Sequence, residues 1–215
     1  MRANSESYNL IITGVGGQGN VLSSQLIGQA LVRKGFFVTI GETYGASQRG
    51  GAVMSHVRIS SKKQLSPLIP KGKADIVVAL EPVEALRVLT IYGNPETVVI
   101  ANTRPFYPIE VTSGNEKYPG EEEIKKTLES LSREVYYIPA TEKAGQLGLP
   151  ILANIIMIGA LLESNLLPLR VEEFRQTLEN NFRGERMEIN LQALEEGRKI
   201  IWTERTKSFM INPEK

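Results

Sequence analysis

Two glycine-containing segments hold most of the residues in this sequence that could do chemistry. The first is Gly14-Val15-Gly16-Gly17-Gln18-Gly19, in which three glycines satisfy the pattern G-x-G-x-x-G. Glycines at this spacing let backbone amides approach a pyrophosphate, and the N-terminus of a following helix favours the anion. Glu42 lies about 20 residues further on, where an NAD-binding protein places the acid for the ribose. This segment alone fits a dinucleotide site and a ligand-free strand-to-helix turn about equally well.

The second segment is Glu42-Thr43-Tyr44-Gly45-Ala46-Ser47-Gln48-Arg49-Gly50-Gly51. It places one arginine, Arg49, among small hydrogen-bonding residues and three glycines, and its guanidinium could make bidentate contacts to a phosphate or a carboxylate. If the first two strands run parallel, both segments emerge at the same edge of the sheet, where open α/β sheets meet ligands or partners. The alternative is a surface loop whose glycines only serve turns. The number of polar donors favours binding.

Four further polar residues are weaker candidates. His56 could be a general acid or base, but a lone histidine on the mixed face of a strand is more often structural. Arg58 shares that face and could bind an anion or pair with an acid. Arg104 follows a predicted strand near its carboxyl end, and Asn154, in an apolar helix, requires a buried partner. None of these residues is assigned a catalytic role.

The elements that must position these residues alternate between strand and helix. Apolar runs at 9–13 and 36–40 flank a helical pattern that stops near Gly35, which predicts a strand–helix–strand unit with paired parallel strands. Residues 53–59 alternate strictly, which predicts a strand with one buried face, antiparallel to its predecessor. Further strands are expected at 75–80, 97–101 and 135–139, helices at 83–90 and 120–132, and a proline-bearing excursion that could form a hairpin at 104–119.

The rest of the chain is predicted to be helical. The expected helices span 149–162, 171–180 and 187–205. The first is apolar nearly all round and should be buried, but it is too short to span a bilayer. Together the elements predict one α/β domain, Rossmann-like, with three α/β/α layers, a mostly parallel sheet and a helical C-terminal portion. We expect this domain to occupy residues 1–215, with a core at about 8–165 and C-terminal helices at 166–206.

Composition limits what the chain can do alone. Its 215 residues suit one domain, and its formal net charge of +1 gives no long-range attraction to nucleic acid or an anionic membrane. With no cysteine, it cannot form disulfides, a thiolate-ligated iron–sulfur cluster or a Cys-type zinc site. With a single histidine, a His-rich metal site is not expected either. We see no signal peptide or membrane span, and therefore expect a cytoplasmic protein.

The two glycine segments, in this order, resemble the small subunit of 2-oxoacid:ferredoxin oxidoreductases. The likeness is greatest to the beta subunit of the indolepyruvate enzymes, and the pyruvate and 2-oxoglutarate enzymes have a related gamma subunit. It covers roughly residues 9–162. The residues that carry it are Gly14-Val15-Gly16-Gly17-Gln18-Gly19, Ser47-Gln48-Arg49-Gly50-Gly51, His56, Arg58 and the helix at 154–160.

This resemblance implies a chain that is active only in a complex. In the family, thiamine diphosphate, magnesium and iron–sulfur clusters belong to a larger partner subunit, and the small subunit holds no cofactor or metal alone. The complex oxidatively decarboxylates a 2-oxoacid, joins the acyl group to coenzyme A and reduces ferredoxin. The loop residues expected to face the partner or a ligand are Gly14, Gly16, Gly17, Gln18, Gly19, Glu42, Ser47, Gln48, Arg49, Gly50 and Gly51, together with Arg58.

Two other functions stay open at this point. The first is a stand-alone NAD-dependent dehydrogenase that uses the glycine loop and Glu42, although His56 is its only convincing proton-transfer group. The second is a nucleotide- or coenzyme A-binding module without catalysis. Whether the chain also forms a homodimer is open as well.

Overall fold

One six-stranded sheet organises the chain. In the computed structural model, residues 7–44, 51–107, 109–115 and 117–211 are described. The strands within them are β1 (Ser7–Val15), β2 (Phe37–Tyr44), β3 (Ala52–Ser60), β4 (Ile76–Ala79), β5 (Val98–Asn102) and β6 (Glu134–Ile138). Their order across the sheet is β2-β3-β1-β4-β5-β6.

Helices cover both faces of this sheet. They are α1 (Asn20–Arg33), α2 (Pro82–Tyr92), α3 (Ile109–Thr112), α4 (Glu121–Leu131), α5 (Ala140–Gln146), α6 (Ala153–Glu163), α7 (Val171–Asn181) and α8 (Glu185–Ile211), and a 3-10 turn spans Pro150–Leu152. Among the helices of the described residues, none combines the length and apolar character needed to cross a membrane. The α/β prediction is confirmed, while α5 is a helix that the sequence patterns did not reveal.

The sheet is mixed because β3 lies between β1 and β2. β3 pairs antiparallel with both of these strands, whereas β1, β4, β5 and β6 pair in parallel. The predicted antiparallel direction of β3 is therefore confirmed, and the parallel part comprises four strands. The expectation that β1 and β2 pair directly is wrong: they run in the same direction, but β3 occupies the place between them.

The two faces of the sheet bury separate clusters. Leu10 and Ile12 of β1 point to one face, where they meet α1, α6 and α8, and Ile11 points to the other, where α2 and α4 pack. β4 and β5 are buried at every residue. Strands covered on both faces have continuous apolar sequences, which explains why they were recognised without an alternating pattern.

The excursion after β5 is not a hairpin. Its described residues contain the short helix α3 and otherwise irregular backbone. Pro105 and Pro119 lack the amide hydrogen that a strand ladder needs, which accounts for the absence of strands in the described part of this segment.

Helices α6 and α8 pack at close range through two glycines. A Cβ atom at Gly159 would collide with the carbonyl oxygen of Leu194, and one at Gly197 would collide with the carbonyl oxygen of Ile156. Each helix thus presents a glycine to the backbone of the other. The predicted burial is confirmed for residues 153–162, all of which are buried. The predicted start at 149 is wrong, because α6 begins at Ala153 and both Leu149 and Ile151 are exposed.

We predict that Gly159→Ala and Gly197→Ala each lower the free energy of unfolding by about 1–3 kcal/mol or more, because the added methyl meets rigid backbone. Gly145→Ala is the matched control: Gly145 is also helical, but nothing lies within 4 Å of its Cβ position. That variant should be neutral or more stable by up to about 1 kcal/mol. Urea unfolding of the three variants measures the difference. Equal effects of all three would contradict this account of the helix pair.

Candidate functional site

The two glycine segments meet at the carboxyl edge of β1. Val15 at the end of β1 pairs with Ala52 at the start of β3, and the Gly16 amide donates to the Gly51 carbonyl at 2.9 Å. This places the described ends of both segments side by side, as expected from parallel β1 and β2. The predicted site residues Ser47, Gln48, Arg49 and Gly50 lie outside the described residues, so their roles stay predictions.

The glycine loop is filled by its own side chains. The Gln18 side chain folds back so that its Oε1 accepts from the Val15 amide at 2.9 Å and its Nε2 donates to the Leu80 carbonyl at 3.2 Å. Asn20 Nδ2 donates to the Val15 carbonyl at 3.3 Å. A dinucleotide pyrophosphate would need free backbone amides here. The amides of Val15, Gly16 and Gln18 already have protein acceptors, which leaves fewer donors for a dinucleotide.

Gly14 and Gly19, at the first and last pattern positions, and Gly17 between them have packing or conformational reasons to be glycine. A Cβ at Gly14 would collide with Gln18 Oε1 and lie 3.0 Å from Leu80 Cβ. Gly17 and Gly19 have φ angles of 100° and 88°, which side chains rarely adopt, and a Cβ at Gly19 would also collide with Asn154 Nδ2. The motif is therefore explained by the turn and by the packing of α1 and α6 around it.

A chain of hydrogen bonds runs along the carboxyl edge, from the turn after β1 past the ends of β4 and β5 to the start of α5. The Leu80 carbonyl accepts from Gln18 and also from Asn102 Nδ2, at 3.0 Å. Asn102 Nδ2 also donates to Thr141 Oγ1 at 2.8 Å, and the Thr141 amide donates back to Asn102 Oδ1 at 3.2 Å. Because α1 and α2 cover opposite faces, this edge is the switch point where doubly wound folds bind ligands. Here protein groups bridge it.

Glu42 is held by internal hydroxyl groups. Ser24 Oγ donates to Glu42 Oε1 at 2.9 Å, and Ser55 Oγ donates to Oε2 at 2.5 Å. Because β3 separates β2 from β1, Glu42 lies two strand spacings, about 10 Å, from β1, rather than one. The structure thus gives Glu42 a structural role, and the NAD-dependent alternative is not supported.

Arg58 lies away from the glycine loop. It pairs in register with Asn9 near the start of β1, whereas Val53 pairs with Gly14 near its end. Its guanidinium donates to Asn9 Oδ1 at 3.1 Å and to Ser66 Oγ at 2.9 Å. The structure therefore does not bring Arg58 to the edge where it was expected to act, but uses it to hold the connection that follows β3.

His56 is a buried core residue. Its Nδ1 accepts from the Ile69 amide at 3.3 Å, and its ring lies edge-to-face with Tyr92 at 5.0 Å between centroids. The acceptor role of Nδ1 assigns the proton of the neutral ring to Nε2, which has no hydrogen-bond partner among the described residues. Burial, together with the charge of Arg58, lowers the pKa of His56. The structural interpretation of this residue is supported.

Asn154 packs onto the glycine loop from the first turn of α6. Its Nδ2 lies against Gly19 and, within the described part of the chain, has no hydrogen-bond partner; the same holds for Asn20 Oδ1 on the other side of the loop. The expected buried partner of Asn154 is thus missing among these residues.

Arg104, the other weak candidate, is exposed beyond β5. Sequence analysis overlooked Asn102, although its position directly after a strand was visible.

The chain itself does not fit the redox cofactors of a 2-oxoacid oxidoreductase. It has no cysteine for an iron–sulfur cluster. The described residues hold no group of three or more histidine, cysteine or carboxylate side chains that could bind a metal, such as the magnesium of a thiamine diphosphate. In the glycine loop, the amides of Val15, Gly16 and Gln18 already donate to protein acceptors, so they are not free for a diphosphate.

Comparison with known proteins gives the family. A family model described as pyruvate ferredoxin/flavodoxin oxidoreductase matches residues 9–200. The chain belongs to this family. It is therefore a subunit of the 2-oxoacid:ferredoxin oxidoreductases, enzymes that act on oxo groups with an iron–sulfur acceptor, and the resemblance read from the two glycine segments is confirmed.

Curated relatives are of similar length to this chain. It is 38% identical to the indolepyruvate oxidoreductase subunit IorB of Archaeoglobus fulgidus, over 88% of this chain and 92% of the relative. It is 35% identical to the subunit of the same name from Thermococcus kodakarensis, over 89% and 95%. The 2-oxoglutarate synthase subunit KorC of Methanothermobacter marburgensis is more distant, at 28% over 88% and 94%.

Solved structures share the fold. The 2-oxoglutarate:ferredoxin oxidoreductase of Magnetococcus marinus superposes with a TM-score of 0.71 at 22% identity, over 93% of this chain and 32% of that chain. The gamma subunit of a keto/oxoacid ferredoxin oxidoreductase from Geobacter sulfurreducens superposes with a TM-score of 0.65 at 19% identity, over 91% and 99%. The fold thus occurs both as a separate subunit and as about a third of a longer chain.

We predict that Glu42→Ala lowers stability by about 1–3 kcal/mol, because the buried hydroxyl of Ser55 loses its acceptor, whereas Ser24 can still donate to the Val21 carbonyl. Glu42→Gln retains one acceptor oxygen and should cost less. Thermal unfolding of both variants checks the order. Micromolar NAD binding that Glu42→Ala abolishes, at unchanged stability, would instead revive the dehydrogenase.

A second prediction concerns the pH dependence of stability. Because the pKa of His56 is lowered in the folded state, the unfolded chain takes up a proton below about pH 6.5 that the native ring does not. Stability conferred by the neutral ring is present above that pH and falls as the pH drops, with a limiting slope of about 1.4 kcal/mol per pH unit.

His56→Gln removes the only histidine and should flatten this slope between about pH 5.5 and 7, measured by urea unfolding at each pH. The difference between the two proteins isolates His56 from the carboxylates, which titrate in both. An identical slope in both proteins would show that the native ring is protonated as readily as the unfolded one.

Proposed function

We propose that this chain is the non-thiamine-binding subunit of an indolepyruvate-type 2-oxoacid:ferredoxin oxidoreductase. A larger partner subunit holds thiamine diphosphate, magnesium and the iron–sulfur clusters. The complex oxidatively decarboxylates an aryl pyruvate: the bond to the carboxylate breaks and carbon dioxide leaves. The acyl carbon then forms a thioester with coenzyme A, and the electron pair released passes through the clusters to ferredoxin.

The aryl substrate is supported by the ranking of relatives. Subunits named for indolepyruvate are 35–38% identical to this chain, whereas those named for 2-oxoglutarate or pyruvate are 28–30% identical over similar lengths. The division of labour between subunits is supported by the absence of cysteine and by the self-filled glycine loop.

The bridged carboxyl edge is the observation that carries the proposal. In a nucleotide-binding doubly wound fold, this edge is a crevice with free amides. Here the Gln18 and Asn102 side chains close it by hydrogen bonds to the Leu80 carbonyl. A closed, rigid edge suits contact with a protein surface better than capture of a cofactor. We infer that the larger subunit contacts this edge.

Exposed apolar side chains surround this edge. Leu22 lies in the first turn of α1, directly after the glycine loop, and is 37% exposed. Leu149 and Ile151 precede the first turn of α6, which packs on Gly19, and are 46% and 49% exposed. Apolar side chains that are exposed together at one edge of a single chain are typical of a protein–protein contact.

Arg49, in the neighbouring connection, is proposed to bind an anionic group of coenzyme A or of the substrate.

The test of the function is reconstitution with the larger subunit encoded in the same organism. We expect the isolated chain to be inactive, and the complex to reduce ferredoxin with indolepyruvate and coenzyme A more efficiently than with pyruvate or 2-oxoglutarate, as judged by kcat/KM. Preference for pyruvate or 2-oxoglutarate would refute the aryl substrate. Turnover by the isolated chain would refute the subunit role itself.

We predict that Ile151→Arg weakens the complex by at least about tenfold, since it places a charge in an apolar contact. Val32→Arg is the matched control: Val32 is 55% exposed but lies in the last turn of α1, at the opposite edge of the sheet. Sedimentation of each variant with the larger subunit gives the two affinities. If Val32→Arg weakens the complex and Ile151→Arg does not, the contact lies at the other edge.

A further inference from the structure

A cavity of about 240 Å³ lies beside the carboxyl end of β5, apart from the glycine loop. It lies between α4, the start of α2 and the excursion that follows β5, and it is open to solvent on one side. Six of its thirteen lining residues are tyrosines or prolines: Tyr107, Tyr118, Tyr137, Pro82, Pro105 and Pro119. Asn102, which also bonds the Leu80 carbonyl at the carboxyl edge, is one of its lining residues, but no residue of the glycine loop lines it, and neither do Leu22, Leu149 and Ile151.

The walls present flat apolar and aromatic surfaces. Tyr107 and Tyr118 lie edge-to-face, with 5.0 Å between ring centroids and 82° between ring planes. Aromatic rings pair favourably in this arrangement and in offset stacks, at centroid distances of about 4.5–7 Å. Tyr107 remains 52% exposed even with this contact. A planar ring that entered the cavity would cover apolar surface that the chain alone leaves in water.

The cavity is formed before any ligand arrives. Glu81, only 2% exposed, holds both ends of the excursion, because its Oε1 accepts from the Phe106 amide at 3.4 Å and from the Tyr118 hydroxyl. Its Oε2 caps α2 by accepting from the Glu84 amide at 2.8 Å. Burial and the hydrogen bond to Glu81 raise the pKa of Tyr118, so its hydroxyl stays a donor. A preformed cavity reduces the ordering cost of binding.

The rim carries a cation. Lys125 lines the cavity, with its Nζ 5.8 Å from the centroid of the Tyr137 ring and 2.7 Å from Glu121 Oε1. The Glu121 side chain is 73% exposed, and an exposed ion pair of this kind contributes little and exchanges partners readily. An anionic group on a bound ligand could therefore replace Glu121 at Lys125.

The size of the cavity limits the ligand to a fragment. Sites that enclose a whole drug-sized ligand measure about 300–1,000 Å³, more than this cavity offers. One ring or two fused rings is the suitable occupant, with any attached chain outside. The geometry points to this cavity as a binding site for a planar aromatic ring system that carries an anionic group.

Two sources share this chemistry: the aryl group of the oxoacid or its product, and the base of a nucleotide-containing co-substrate. Assigning the aryl source rests on the proposed function, whereas the ring site itself does not. The test therefore uses the full chain without the partner subunit, so that failure to bind a ring leaves the subunit role standing, and failure of reconstitution leaves the ring site standing.

The probes are indoleacetate, ADP and cyclohexylacetate, titrated by calorimetry and by saturation-transfer NMR. We expect at least one aromatic probe to bind, and the saturated ring of cyclohexylacetate to bind more weakly. The probe that binds identifies the source, and binding of both supports the shared chemistry. If neither aromatic probe binds, or if cyclohexylacetate binds as well as they do, the proposal is overturned.

We predict that Tyr107→Ala weakens the bound aromatic probe by about three- to tenfold, through loss of one aromatic wall. Phe106→Ala is the control, because Phe106 is the exposed aromatic neighbour that does not line the cavity. Thr103→Trp, at an exposed lining position, should plug the cavity and abolish binding. Unchanged binding by Thr103→Trp would place the probe elsewhere and refute the site.

Discussion

The pairing of β3 with β1 is the constraint on which the carboxyl edge depends. Its register sets Ala52 opposite Val15 and brings the Gly51 carbonyl to the Gly16 amide, so the two glycine segments are joined by backbone before any side chain is considered. The same pairing moves β2 to the edge of the sheet, with Glu42 two strands away from the loop. One inserted antiparallel strand therefore both builds the edge and removes the geometry that NAD requires.

Side chains of the protein occupy the carboxyl edge at which a nucleotide-binding fold would hold its ligand. The Leu80 carbonyl, at the end of β4, is shared by Gln18, from the turn after β1, and Asn102, the last residue of β5. In a nucleotide-binding protein, a ligand would supply these contacts, whereas here the fold is complete without one. A subunit whose edge is bridged by its own side chains can present that edge to another protein, and the redox chemistry can belong entirely to the partner. The absence of cysteine fits this arrangement.

Much of the fold could be predicted from the sequence, because local periodicity decides it. The alternation at 53–59, the apolar runs of β4 and β5 and the all-round apolar character of α6 each correspond to one element. The place of β3 between β1 and β2 could not be predicted, since strand order depends on long-range packing. Likewise, the partners of Glu42 are hydroxyls from α1 and β3, 18 and 13 residues away, which no local pattern reveals. The hairpin prediction for residues 104–119 was wrong. Prolines in this segment interrupt a strand ladder, but they do not indicate which structure forms instead.

The glycine pattern itself shows how far a motif can be interpreted. Of its glycines, Gly14 is required by Gln18 and Leu80, and Gly19 by both its φ angle and Asn154, while the neighbouring Gly17 is required by its φ angle. All of these requirements come from turning a strand into a helix against a sheet, and none needs a phosphate. A dinucleotide site needs the same turn and, in addition, free amides and an acid on the adjacent strand. The glycine spacing therefore indicates the strand-to-helix turn alone. Whether a dinucleotide binds depends on which backbone amides are free and on which strand lies next to β1.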